Sequence, residues 1–208
     1  GWPIPWLEEM LTHPSPDSYW KPLDVTDELP KLKLPIQHVV GYYDFFSRES
    51  VNNFEIMNKT AVDAETRKNQ QLILGPWDHG TIGQRKAGDL DFGPEAQWDS
   101  AGATLEWFDR FLKQDPKVTA TPLVPVRYFV LGENRWYEAE TWPPQGVHET
   151  AFYLHSAGHA NTRSGDGSIT TTAATIDEPP DIFVADPIDP VPACVVTEAR
   201  PIQAATYA

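Results

Sequence analysis

Val39-Val40-Gly41-Tyr42-Tyr43-Asp44 and Leu72-Ile73-Leu74-Gly75-Pro76-Trp77-Asp78-His79-Gly80 are the two stretches from which the fold is read. Each is a short apolar run that ends in a glycine followed by aromatic residues. Each then delivers one side chain able to hold or move a proton, Asp44 in the first and His79 in the second. Short apolar runs bounded by proline and glycine mark strands buried on both faces, as in a parallel sheet. Pro35 to Val40 and Gln70 to Gly75 fit that pattern. Between them Ser47 is placed to cap a helix in which Val51, Phe54 and Met57 recur at helical spacing, ending near Lys59. From Pro94 to Lys113, residues Ala101, Leu105, Phe108 and Leu112 make one apolar stripe, with Pro94 and Glu95 near the start where a helix favours them. Strand, helix, strand, helix implies a parallel sheet with helices packed on it.

Outside this core the character changes. Pro3, Pro5, Pro14, Pro16, Pro22, Pro30 and Pro35 interrupt any long helix, so the first 35 residues read as short helices and loops. Past Asp115-Pro116, threonine, proline and β-branched residues replace the helical period. A boundary is expected near 116–120, followed by an all-β module with strands at Pro125 to Leu131 and Ala151 to His155. Turn chemistry separates them at Gly132-Glu133-Asn134 and Pro143-Pro144-Gln145-Gly146, and Asn161 to Gly167 is a polar loop. Hydrophobic residues make up 40% of the 208, enough for a globular chain with a core. The formal net charge is -14 and Lys and Arg are scattered singly, which argues against nucleic acid as a partner. A single cysteine, Cys194, precludes an internal disulfide and fits a reducing compartment. No apolar run reaches the roughly 20 residues of a membrane helix, and no signal-peptide layout opens the chain. A cytoplasmic location, with no membrane partner, is the expectation, although a signal would be lost with a missing N-terminus.

The chemistry rests on Asp44 and His79. In an open parallel sheet the working residues sit just past the carboxyl ends of the strands, and both occupy such positions. Their order, acid before base, is that of the last two members of a Ser-Asp-His triad on an α/β-hydrolase sheet. A separation of 35 residues leaves room for the intervening helix and return strand. The aromatics Tyr42, Tyr43, Phe45, Phe46 and Trp77 would help exclude water from the pair, strengthening it. Read singly, an aspartate at a strand end is a helix cap or turn residue, and that reading stays open. No serine among Ser15, Ser18, Ser47, Ser50, Ser100, Ser156, Ser164 and Ser168 stands in a Gly-x-Ser-x-Gly frame, and Cys194 lies in the wrong order to replace one. The nucleophile and its oxyanion donors are therefore expected upstream, which makes the chain the later part of an enzyme. Asp78 reads as a supporting group or a turn residue. Asp89, Asp91 and Glu95 fit a turn better than a calcium loop. His148, His155 and His159 are too loosely spaced for zinc and are expected to be hydrogen-bonded or solvated. Trp136 to Trp142 reads as core and domain-interface packing, with a sugar platform as the lesser alternative.

These residues resemble the X-Pro dipeptidyl-peptidase and cocaine esterase-like family of serine hydrolases. The matching stretches are Tyr19-Trp20, Pro35-Ile36, Gly41 to Asp44, Leu74 to Gly80, Leu90 to Ala96, Trp107 to Lys113, Val126 to Trp142 and Phe152 to Ser156. The resemblance covers about residues 1 to 192 and implies an α/β fold class. Residues 1–30 would be the end of a helical cap, 31–117 the C-terminal part of an α/β-hydrolase domain and 118–208 a partial β jelly-roll, galactose-binding-like, domain. It implies Asp44 as triad acid, His79 as triad base, and hydrolysis of acyl, aminoacyl or X-Pro dipeptidyl esters and amides without metal or organic cofactor. The partners implied are a small ester, amide or peptide substrate, and a missing N-terminal half or further copies of the chain to cover open strand edges. The chain alone is expected to be inactive. A non-catalytic binding module, or a subunit that complements an N-terminal half, is the alternative. The tail from Ala193 to Ala208 departs from the family pattern.

Overall fold

The computed structural model describes residues 4–162 and 164–188, so Cys194 and the divergent tail lie outside the described residues. They fall into two compact units that divide between Trp142 and Pro143. The first unit opens with helix α1 (Pro5–Thr12), which has proline at its start where a missing N–H costs nothing. A compact knot follows. His13 stacks on Tyr19 at 4.4 Å, its Nδ1 lies 2.7 Å from Asp17 Oδ2, and Trp20 Nε1 donates to the His13 carbonyl. The proline-rich entry is thus ordered by side chains where no long helix can form.

Strand β1 (Ile36–Gly41) leads through a tight turn into helix α2 (Ser47–Thr60); helix α3 (Ala64–Lys68) and strand β2 (Gln70–Gly75) follow. Strands β1 and β2 pair in parallel, with Val40 opposite Leu74 and Gly41 opposite Gly75. Helix α2 lays Phe54 and Met57 onto the unit's core, both fully buried. Burial of this kind is worth about 1.5–3 kcal/mol for each such side chain. Phe54 joins Val40, Leu72, Leu74 and Val126 on one face of the sheet. Ser47 is not the cap expected of it: it is the first helical residue, and no side chain caps the helix. Asp44 takes that work from further back, its Oδ1 accepting from Phe46 N–H and its carbonyl from Ser47 N–H.

The segment after β2 departs from the single helix expected over 94–113. A short hairpin, β3 (Lys86–Ala87) and β4 (Leu90–Asp91), precedes a 3-10 turn at Pro94–Ala96. Helix α4 (Ser100–Phe108) begins only after Asp99, whose carboxylate accepts from Gly102 N–H, and it widens into a π-helical turn at Asp109–Lys113. The expected core stripe faces outward: Leu105, Phe108 and Leu112 are all exposed, while Trp107 is buried. A stripe two positions over, through Ala103, Trp107 and Arg110, lines a cavity against Gln37, Gln71 and Ile73 of the sheet. Helical spacing admits both stripes, and the bulk of Trp107 decides between them.

Helix α5 (Pro116–Thr119) leads to β5 (Val126–Val130) and β6 (Arg135–Ala139). Expected as the first strands of a separate β module, they instead extend the first sheet. β5 pairs in parallel with β2, setting Leu72 opposite Val126, and β6 pairs antiparallel with β5, giving the order β1-β2-β5-β6. The reason lies in the side chains. Val126 points to one face and Phe129 to the other, and both are fully buried, as only a strand covered on both sides requires.

In the second unit β7 (Tyr153–His155) and β8 (Ser168–Thr170) pair antiparallel. Polar contacts tie this hairpin down. His155 Nδ1 lies 2.7 Å from Glu178 Oε1, and its Nε2 lies 3.0 Å from both Thr170 Oγ1 and the Thr172 carbonyl. Among the described residues no helix is long and apolar enough to cross a membrane.

At the strand exits, Tyr42 N–H donates to the Gly75 carbonyl and Tyr43 N–H to the Trp77 carbonyl. The backbone of one turn thus lies against the other. A β-carbon on Gly41 would overlap the Trp77 carbonyl, and one on Gly75 would meet the Trp77 ring. Overpacking of this kind costs about 1–3 kcal/mol where side chains can give way, and here backbone is struck. Gly41→Ala should therefore lower the urea midpoint by more than Gly93→Ala, where space is open and the cost is that of a side chain at a φ of +81°. Equal midpoints would contradict this packing.

The two units should also respond to pH in opposite senses. The hydrogen bond to Glu178 raises the pKa of His155 above its ordinary 6.5, and the same contact lowers that of Glu178 below 4.5. The imidazolium's contribution is whole below pH 6.5 and is lost as pH rises through the raised folded value. The carboxylate's is whole above pH 4.5 and is lost as pH falls through the lowered folded value, so the tie is strongest between the two. Burial lowers the pKa of His38 on β1, so its contribution is present above pH 6.5 and is lost on acidification. Hydrogen-exchange protection of β7 and β8 should fall as pH rises above 6.5 and become flat in His155→Gln, while protection of β1 should fall as pH drops below 6.5.

Candidate active site

The carboxyl ends of β1 and β2 deliver the two residues singled out in the sequence to one place. Asp44 follows β1 by a turn in which its own N–H donates to the Gly41 carbonyl, and Asp44 Oδ1 accepts from Phe46 N–H at 2.9 Å. Its other oxygen, Oδ2, lies 3.1 Å from His79 Nδ1. An ionised carboxylate can only accept, so Nδ1 carries the proton of this bond and Nε2 of the neutral ring presents a lone pair. The Asp44 side chain is 4% exposed and that of His79 48%. Asp44 is thus held inside by two donors, and His79 stands at the surface.

His79 sits in a loop built by its neighbours. Asp78, itself buried, accepts from Gly80 N–H at 2.7 Å, and its backbone N–H donates to Thr81 Oγ1 at 3.0 Å. Asp78 is therefore the turn residue that shapes the loop. Thr81 was missed in the sequence, although an aspartate followed three residues later by threonine is a recognisable turn signal. Trp77 anchors the loop from below: fully buried, it stacks on Trp98 at 5.4 Å and donates from Nε1 to the Ala96 carbonyl. Trp136 completes this aromatic base, 5.6 Å from Trp77, with its Nε1 donating to the Glu95 carbonyl. The packing expected of the tryptophan-rich stretch is thus core packing for the first unit, shared by Trp142 against Tyr128.

The aromatics beside Asp44 divide in two. Tyr43 turns inward onto Phe92, and burial pushes the pKa of Tyr42 up to about 12, so its hydroxyl stays protonated. Phe45 and Phe46 stay about half exposed beside His79. They exclude water from the Asp44 side of the pair and leave the outer side of the imidazole open.

The other candidates are occupied differently. Asp91 accepts from both Arg85 Nε and an Arg85 terminal nitrogen and from Gly93 N–H, as a turn residue does. His155 is committed to Glu178 and the two threonines. Among the described residues no group of three His, Cys, Asp or Glu is placed to hold a metal ion.

Residues 3–81, a span that includes Asp44 and His79, match the family model described as X-Pro dipeptidyl-peptidase (S15 family). The chain is 34% identical over 194 residues to the cocaine esterase of Rhodococcus sp. (strain MB1 Bresler), an alignment covering 91% of this chain and 32% of that one. Among solved structures it is similar to an aminopeptidase from the marine sediment archaeon Thaumarchaeota archaeon, with a TM-score of 0.63 and 26% identity, covering 91% of this chain and 30% of the other. The chain thus spans about a third of the length of these relatives. With a mixed sheet of the hydrolase kind and matches running through both strand exits, these likenesses support a family like that of cocaine esterase and the X-Pro dipeptidyl-peptidases for this chain.

Proposed function

We propose that Asp44 and His79 are the acid and base of a serine-hydrolase triad and that the chain forms the later portion of an enzyme cleaving esters or amides through an acyl-enzyme. The observation that carries this reading is the 3.1 Å contact between Asp44 Oδ2 and His79 Nδ1 at adjacent strand exits. It fixes the tautomer a general base needs, with Nε2 at the surface of the unit. The nucleophile is a serine on a stretch of polypeptide outside these 208 residues. Its Oγ attacks the acyl carbon while His79 Nε2 takes its proton. Asp44 stabilises the imidazolium, which then protonates the departing alcohol or amine. Water repeats the sequence on the acyl-enzyme, and serine is released with its proton restored. None of these steps calls on a metal or organic cofactor.

The relatives, one named for an ester and one for a peptide, support this substrate class. Both bonds pass through a tetrahedral oxyanion, so an acyl, aminoacyl or X-Pro dipeptidyl group fits the same base and acid. We also read residues 1–30 as the end of a cap, the sheet through Trp142 as hydrolase domain, and the unit from Pro143 as the opening of a jelly roll. The antiparallel β7–β8 pair supports the last of these.

Two measurements test the assignment. With the chain joined to a segment carrying an elbow serine, p-nitrophenyl acyl ester hydrolysis should fall by about 10²–10⁴ on His79→Ala. On Asp44→Asn, which leaves the imidazole in the wrong tautomer, it should fall by about 10⁴. Undiminished turnover in either variant removes that residue from the chemistry. The purified 208-residue chain alone should not hydrolyse the ester; turnover abolished by His79→Ala would instead put the nucleophile within it.

A further inference from the structure

His79 poses a problem of orientation. The imidazole is tethered at one atom, through Nδ1 to Asp44, and it hangs from two rotatable bonds with about half of its surface in solvent. A ring so placed can swing away from the carboxylate or flip, and either motion takes Nε2 out of reach of a partner.

Phe45 stands where it can prevent this. Its ring centroid is 4.9 Å from that of His79, tilted by 36°, while Phe46 meets the imidazole edge-on at 5.5 Å and 70°. The two phenyl rings are themselves 4.4 Å apart. Phe46 N–H donates to Asp44 Oδ1, so the carboxylate that holds Nδ1 also fixes the turn from which both phenyl rings project. Phe45 is 43% exposed and belongs to none of the unit's buried clusters. Its ring contacts are with Phe46 and with the imidazole, and the second bears on the orientation of His79.

We propose that Phe45 is a positioning residue for His79: its ring lies against the imidazole, restricts rotation and keeps Nδ1 on Asp44 and Nε2 at the surface. This rests on the reading of His79 as the base. Aromatic pairs of this geometry bias such an equilibrium by about two- to tenfold.

The test uses the 208-residue chain labelled with ¹⁵N,¹³C-histidine, at a pH where His79 is neutral. The ¹⁵N shifts give the ratio of the Nδ1–H to the Nε2–H tautomer, and the Hε1 shift reports the ring current of a stacked neighbour. Phe45→Leu keeps apolar bulk but removes the ring face. It should lower the tautomer ratio by about two- to tenfold and move Hε1 downfield, and Phe45→Tyr should restore both. Phe45→Met replaces the leucine variant if that one does not fold. A ratio and Hε1 shift unchanged in a folded leucine or methionine variant overturn the proposal and leave the Asp44–His79 pair standing. An unmodified chain with no Nδ1–H preference, matched by Asp44→Asn, overturns the pair as well.

Discussion

The contact on which the site depends is between two backbones: the turn after β1 packed against the turn after β2, with Tyr43 N–H bonded to the Trp77 carbonyl and no room at Gly41 for a side chain. Parallel pairing alone brings Gly41 opposite Gly75 and would leave the following residues free to diverge. The extra hydrogen bonds beyond the last paired residues carry the register onward into the loops. Asp44 and His79 therefore meet as a result of main-chain geometry, and their own hydrogen bond completes an approach already made. Glycine at both strand ends is the condition for it, since any larger residue pushes the turns apart.

Trp77 is the second half of this arrangement. A tryptophan buried to the last atom beneath the His79 loop replaces what the loop cannot supply, because loops carry backbone groups that need water or partners. Its indole N–H finds the Ala96 carbonyl, and Trp98 and Trp136 fill the space around it. Segments far apart in the chain are thereby anchored under the His79 loop. The proposed roles suit the buried Asp44 and half-exposed His79: an acid needs fixed donors and little solvent, whereas a base must be reachable. Exposure costs the imidazole orientation, which aromatic neighbours can return.

How much was legible beforehand depended on the kind of information each element carries. β1 and β2 could be read because apolar runs between proline and glycine have few other uses, and α2 because Val51, Phe54 and Met57 repeat on one face. The helix over 94–113 was misread in extent and in face. Its first residues form a separate 3-10 turn, and two stripes two residues apart satisfy the same period. For β5 and β6 the strand character was readable, yet their sheet was not, because alternation of side chains tells which faces are buried and nothing about which strand is adjacent. Ser47 looked like a cap by residue type; the group that satisfies the turn's amides is Asp44, whose reach depends on a turn the local pattern does not specify.

By itself the sequence determined the strand ends, the two side chains that follow them and their order, because those follow from local apolarity and from residue type. Only the tertiary structure decided that Asp44 turns inward and His79 outward, that Phe45 faces the imidazole, and that β5 joins β2. These depend on which backbones pack against one another. That is settled by close approach at Gly41 and by the bulk of Trp77 between segments far apart in the chain, and neither is written in any single stretch of residues.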